Sequence, residues 1–245
     1  MGTRYKEMLL KLVLTVILFT SVFAAARKAA VVVNEGKAGQ PPEEKRFCVV
    51  VDAGHGGDDP GKIGINGALE KELNLRMAEK LAAFLRASDV EVVMTRTADG
   101  GLYDENTSNK KVQDMRRRIR IIEEARPQLV VSIHQNSYGE ETVDGAQVFY
   151  YEGSARGKQL AELIQFRLVE NLDPDNHRAA KANDKYYLLK KTSKPIVIVE
   201  CGFLSNRAEA EKLCDSLYQE RVAWQIHMGI LQYLNQNAEG KGGLG

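Results

Sequence analysis

The sequence predicts an α/β fold: one domain built on a twisted, mostly parallel sheet of about six strands with helices on both faces. Three observations predict it. Cys48 to Val51, Leu129 to Ile133 and Ile196 to Val199 are continuously apolar rather than alternating, the pattern of strands buried on both faces. Between them lie segments whose apolar residues recur at helical spacing, the alternation that builds a parallel sheet with helical crossovers. Each buried strand also runs into an ionisable side chain near its carboxyl end: His55, His134 and Glu200. In a parallel sheet those ends share one edge, where ligands bind.

Taken in order, the chain opens with Lys6 and Lys11 ahead of an apolar run from Leu12 to Ala26, closed by Ala24-Ala25-Ala26 and Arg27-Lys28. This is a signal-peptide layout, and the run is shorter than the roughly twenty residues of a spanning helix. Residues 1–29 therefore read as a signal peptide or a membrane anchor, and either places the domain outside the cytoplasm. Residues 30–46, with Pro41-Pro42 and mixed charge, read as a linker. The domain proper is expected over residues 47–236, with 237–245 as a disordered tail.

Cys48 to Val51 is the first strand, and the glycine-rich loop after it carries His55. Such a loop lets backbone approach a ligand closely; it lacks the Lys-Ser/Thr ending of a phosphate-binding loop. Leu69, Leu73, Met77, Leu81 and Leu85 predict a helix of about four turns with Glu70 in its first turn. A carboxylate there is favoured by the helix dipole alone, but its place directly after the His55 loop points to the site. Val90 to Arg96 is a second strand, and Asp99 to Lys110 an exposed loop. The helix from about Val112 to Ala125 carries Arg116, Arg117, Arg118 and Arg120, by default a solvated face with room for one arginine to turn inward. Pro127 ends it. Ala146 to Tyr151 is a strand nearer an edge, and Gly157 to Leu172 an amphipathic helix. Residues 176–194, rich in Lys and Arg around Tyr186-Tyr187-Leu188-Leu189, read either as a substrate-facing rim or as a solvated loop and short strand. Helices from about Arg207 to Leu213 and Gln219 to Leu234 close the domain.

The formal net charge of the 245 residues is +1, which gives no electrostatic basis for nucleic-acid binding. Three cysteines without CxxC spacing predict neither a disulfide framework nor a thiolate metal site. His55 and His134 with one of the two carboxylates, Glu70 or Glu200, instead form the two-imidazole, one-carboxylate set typical of catalytic zinc, which leaves a coordination position for water. The other carboxylate remains as a base.

These residues fall in segments that resemble the zinc-dependent N-acetylmuramoyl-L-alanine amidases of the type-3 amidase family. The resemblance rests on Asp52-Ala-Gly-His55-Gly-Gly with Asp59-Pro-Gly, Glu70-Lys-Glu-Leu-Asn74-Leu75, Thr95-Arg96, Ser132-Ile-His134-Gln-Asn136 and Glu200-Cys-Gly-Phe-Leu-Ser-Asn206. The segments stand in the family's order from Phe47 to Leu234. Ala53 stands where the family usually has Pro, and Ile122-Glu123 where an Ala-Asn pair is common. Tyr186 to Pro195 and Gly229 to Tyr233 look most like the short sporulation or germination amidases of spore cortex.

The resemblance implies zinc on His55, Glu70 and His134, Glu200 as the catalytic carboxylate, and hydrolysis of the amide between the muramic acid lactyl group and L-alanine in peptidoglycan. Arg96, Asn136 and Arg118 are candidates for substrate contact or carbonyl polarisation. The absence of a wall-binding module points to targeting by location or by a protein partner. The same ligand set would serve a zinc peptidase cutting another amide of the wall peptide. A non-catalytic wall-binding regulator is the third reading, and loss of one of the four site residues, its expected sign, is not seen.

Overall fold

In the computed structural model, the described residues are 47–239 together with 18 and 20–22, which are helical. The signal peptide or anchor and the linker otherwise lie outside the described residues, as do residues 240–245 of the expected tail. Among the described residues no helix is long and apolar enough to cross a membrane. The sheet and its helices lie in the unit beginning at Arg46.

Six strands form one sheet: β1 (Cys48–Ala53), β2 (Glu91–Met94), β3 (Leu129–Asn136), β4 (Gln147–Tyr151), β5 (Lys181–Asn183) and β6 (Ile196–Phe203). Their spatial order is β2-β1-β3-β6-β4-β5. β1 pairs parallel with β2 and β3, and β3 parallel with β6. β4 runs antiparallel to β6, and short β5 parallel to β4. The three strands that the apolar runs marked as buried on both faces stand side by side inside the sheet, and every residue of β1 and of β6 is buried. Successive side chains of a strand point to opposite faces. Val49 and Val51 accordingly join one hydrophobic cluster and Val50 the other.

The larger cluster packs under α1 (Glu70–Ala87), α3 (Ala155–Leu172) and α6 (Ser216–Glu239). Leu73, Met77, Leu81 and Leu85 of α1 lie one turn apart on its buried face; full burial of such side chains stabilises by roughly 1.5–3 kcal/mol each. The opposite face is covered by α2 (Lys110–Ala125) and α4 (Tyr187–Lys191) through Ile122, Leu188 and Leu189. α5 (Arg207–Cys214) links β6 to α6. The side chain of Asn109 caps α2 by accepting from Val112 N at 3.1 Å. Arg126 ends that helix in the left-handed region at φ 48°, just before Pro127 forbids its continuation.

Three expectations change. The second strand is shorter than Val90 to Arg96 and leaves Thr95 and Arg96 beyond its end. Tyr187 to Leu189 open a short helix rather than a strand; the strand of that region is β5, and α6 continues past Leu234 to Glu239.

Candidate active site

β1 ends at Ala53, and the chain then turns at Gly54 so that His55 takes a left-handed conformation, φ 61°. That conformation is uncommon for a residue with a Cβ, and two arginines enforce it. Arg118 donates to Ala53 O at 2.7 Å and to His55 O at 2.6 Å. Arg96 donates to Ala53 O at 2.9 Å and to Gly54 O at 3.0 Å. Three successive carbonyls are thereby held by two guanidinium groups.

Both arginines are almost fully buried. Arg96 directs its remaining donors to Lys71 O and Ala98 O, so all of its hydrogen bonds go to backbone carbonyls. Arg118 borders the cavity, yet its donors go to loop carbonyls, Asp52 and Asp114. It is the one arginine of α2 that turns inward. Asn136, at the end of β3, does line the cavity, with its side-chain oxygen accepting from Ser137 N at 2.8 Å.

Asp52 anchors this clamp from within the sheet. Its carboxylate accepts from Arg118 and Thr95, each at 2.6 Å, and from the Ser132 hydroxyl. Burial opposes its ionisation, but the Arg118 guanidinium and the two hydroxyls hold the carboxyl down to about 2.

The loop then folds onto the start of α1. Leu69, the residue before the helix, offers no side-chain cap. Lys62 O and Pro60 O instead accept from Glu70 N and Lys71 N at 2.9 and 3.1 Å, satisfying helix N–H groups that would otherwise be orphaned. This fixes Glu70. Its Oε1 lies 3.2 Å from His55 Nε2 and 3.0 Å from His134 Nδ1, and its Oε2 accepts from Lys62 N at 2.7 Å. One potential ligand atom from each of His55, Glu70 and His134 falls within 4.8 Å of the others, a group that could hold a metal ion.

The chemistry of the donors fits. His55 Nδ1 stands 2.8 Å from Asp59 Oδ2, so an Nδ1–H bound to that carboxylate leaves the Nε2 lone pair facing inward, the usual arrangement behind a metal-bound imidazole. The surroundings favour a cation. Against the effect of burial, the two imidazoles hold the Glu70 carboxyl well below the usual carboxylate range, and Glu70 with Asp59 pushes His55 up to about 9.

Glu200 is opposite His134 in the β3–β6 register. It is 6 % exposed. Its Oε1 accepts from the Tyr186 hydroxyl at 3.2 Å, while Oε2 is buried without a hydrogen-bond partner among the described residues. Burial, reinforced by the charge of Glu70, raises its carboxyl above the ordinary value despite the pull of His134.

All four residues expected from the sequence therefore meet in one cavity of about 840 Å³. Lys62, Lys111 and Lys185 stand at its border, exposed, and make no ion pair among the described residues. Sequence reasoning gave no role to Asp59 or Tyr186. Asp59 had a signal, its place four residues after His55; Tyr186 had only its place in a tyrosine pair beside basic residues. The three cysteines are free, two buried and one exposed.

A profile of the N-acetylmuramoyl-L-alanine amidase family matches residues 49–232. The germination-specific N-acetylmuramoyl-L-alanine amidase of Bacillus subtilis (strain 168) is 37 % identical over 194 residues, 78 % of this chain and 81 % of that protein. The CwlD amidase of Clostridioides difficile, solved in complex with the GerS lipoprotein, superposes with a TM-score of 0.76 at 38 % identity, over 78 % of this chain and 99 % of that one. The amidase AmiC2 of Nostoc punctiforme gives a TM-score of 0.66 at 34 % identity, over 77 % and 97 % of the two chains. With a family match that spans residues 49–232 and a relative 37 % identical over 194 residues, the chain belongs to the N-acetylmuramoyl-L-alanine amidase family.

Proposed function

We propose that the chain binds zinc through His55, Glu70 and His134 and uses Glu200 as general base to cut the lactyl–L-alanine amide of peptidoglycan during spore germination. The single observation that carries the mechanism is the buried Oε2 of Glu200, without a partner among the described residues and beside the three-donor group. An unpaired buried carboxylate oxygen costs about 1–3 kcal/mol or more, and a reacting water offers it a donor. Zinc in such a site supplies Lewis acidity and brings the pKa of a bound water to about 7.

Glu200 takes a proton from the attacking water as the water oxygen bonds to the lactyl carbonyl carbon. It returns that proton to the amide nitrogen as the C–N bond breaks. The products are a lactyl carboxylate on the muramic acid and a stem peptide with a free amino-terminal alanine. The raised carboxyl of Glu200 suits both transfers, since a base must later act as acid. Lys62, Lys111 and Lys185 at the border of the cavity suit the carboxylates of the stem peptide.

The germination setting is supported by the B. subtilis relative, whose name carries that role. A protein partner is supported by the lipoprotein complex of the C. difficile amidase, and export by the amino-terminal segment, which the mature protein either loses or keeps as an anchor. Mass spectrometry of digests of purified peptidoglycan tests the reaction. Intact stem peptides beginning with alanine are expected; shortened stems would assign a peptidase, and undigested wall would contradict turnover.

A further inference from the structure

The two oxygens of Glu200 are not equivalent, and one side chain makes them so. The Tyr186 hydroxyl donates to Oε1 at 3.2 Å, and Oε2 has no donor among the described residues. Tyr186 lies on the wall of the cavity, half-buried, in the basic segment that crosses from β5 to β6. Its place is set from three sides. The Asn183 side chain at the end of β5 accepts from Lys185 N at 2.7 Å and from Tyr186 N at 3.0 Å. The ring meets Phe149 of β4 edge to face at 5.6 Å. Its carbonyl accepts from Lys190 N at 3.2 Å as α4 begins. The short edge strand β5 and the helix after it thus hold a hydroxyl against the base.

We infer that Tyr186 is a positioning residue for Glu200: by occupying Oε1 it fixes the rotation of the carboxylate and leaves Oε2 as the oxygen that exchanges protons with water and leaving nitrogen. Without it both oxygens of a buried carboxylate would lack a donor, and the group would turn or take up a proton. Burial and the charge of Glu200 push the tyrosine hydroxyl up, which keeps it protonated and a donor throughout the working range. Tyr186 has no hydrogen bond to His55, Glu70 or His134, so its effect is separable from metal binding. The inference rests on Glu200 being the base.

The test compares the zinc-loaded full chain with Tyr186→Phe, Glu200→Gln and the double variant on soluble peptidoglycan fragments, with bound zinc and the melting temperature recorded for each. Phenylalanine keeps the ring packing on Phe149, so the variant folds. Tyr186→Phe is expected to lower kcat by about 10- to 100-fold, the size of a hydrogen bond to a charged group, with KM and zinc content unchanged. In the Glu200→Gln background the same change should have no further effect, because the two act as one unit. An unchanged kcat, a rise in KM alone, or independent losses that multiply in the double variant would each overturn the inference. Full turnover by Glu200→Gln would remove the base itself, whereas an inactive Glu200→Gln beside a fully active Tyr186→Phe would remove only the positioning role.

Discussion

The His134 imidazole occupies the space that a side chain on Gly54 would need: a Cβ there would lie 2.2 Å from His134 Cε1 and 2.3 Å from Nε2. Gly54 cannot withdraw, because its N–H donates to Ile133 O across the β1–β3 pair and its carbonyl is held by Arg96 and Asn74. The glycine before His55 is thus the seat of the other histidine. Gly54→Ala should displace the His134 ring and lower bound zinc to a small fraction of the unmutated level, with turnover falling in step. Metal analysis of the purified variant checks this; full zinc content would show that the ring can move aside at no cost.

Asp59 would act on a bound metal through His55. Its carboxylate is about half exposed and fixes the imidazole from the Nδ1 side. Removing such a partner typically weakens metal affinity by about 10- to 100-fold. Asp59→Ala should therefore lose zinc to a chelator at correspondingly lower concentrations while its melting temperature without zinc stays close to the unmutated value. Chelator competition provides the measurement, and equal affinities would detach Asp59 from the site.

Asp52 and Arg118 form a buried ion pair, 1 % and 2 % exposed, that holds the His55 loop to the sheet. Truncating one partner strands the other charge, typically at a cost of about 3–5 kcal/mol. Arg118→Met should destabilise the domain by that order and release the strained loop. Denaturant unfolding measures it, and a loss below about 1 kcal/mol would mean that the pair is dispensable.

The same pair sets an acid limit. The folded carboxyl of Asp52 sits at about 2 against an ordinary 3.8, so its contribution to stability is fully present above pH 3.8 and is lost as pH falls through 2. The shift corresponds to about 2 kcal/mol. Asp52→Asn, already weakened at neutral pH, should lose less additional stability than the unmutated chain between pH 4 and pH 2. Parallel slopes in that window would place the titrating group elsewhere.

Lys111 and Lys185 stand at the border of the cavity without ion-pair partners among the described residues. Reversing both charges should raise KM for anionic stem peptides several-fold, more at low salt than at high salt, with kcat retained. Steady-state kinetics at two ionic strengths decide it; a salt-independent KM would leave these lysines without a part in binding.

Much of this was legible in the sequence because the signals were local. Continuous apolar runs marked β1, β3 and β6, and strand ends delivered His55, His134 and Glu200 to one edge. The hydrogen bonds of Arg96 and Arg118 to the His55 loop were not legible, because a buried cation near a site looks alike in sequence whether it faces a ligand or a backbone carbonyl. Only the fold shows Arg118 of α2 reaching back to the carbonyl of His55. Tyr186 was hidden for a related reason. Its partner lies 14 residues ahead on another element, and the helix that follows it, five residues long, is too short for periodicity to reveal.

Zinc content and turnover measured on one preparation of the full chain, with and without Glu200→Gln, test the central claim most directly. About one zinc per chain in both proteins, with stem peptides released only by the unmutated one, is the predicted result. Glu200→Gln releasing stem peptides at the unmutated rate, or an active chain that carries no metal, would contradict it.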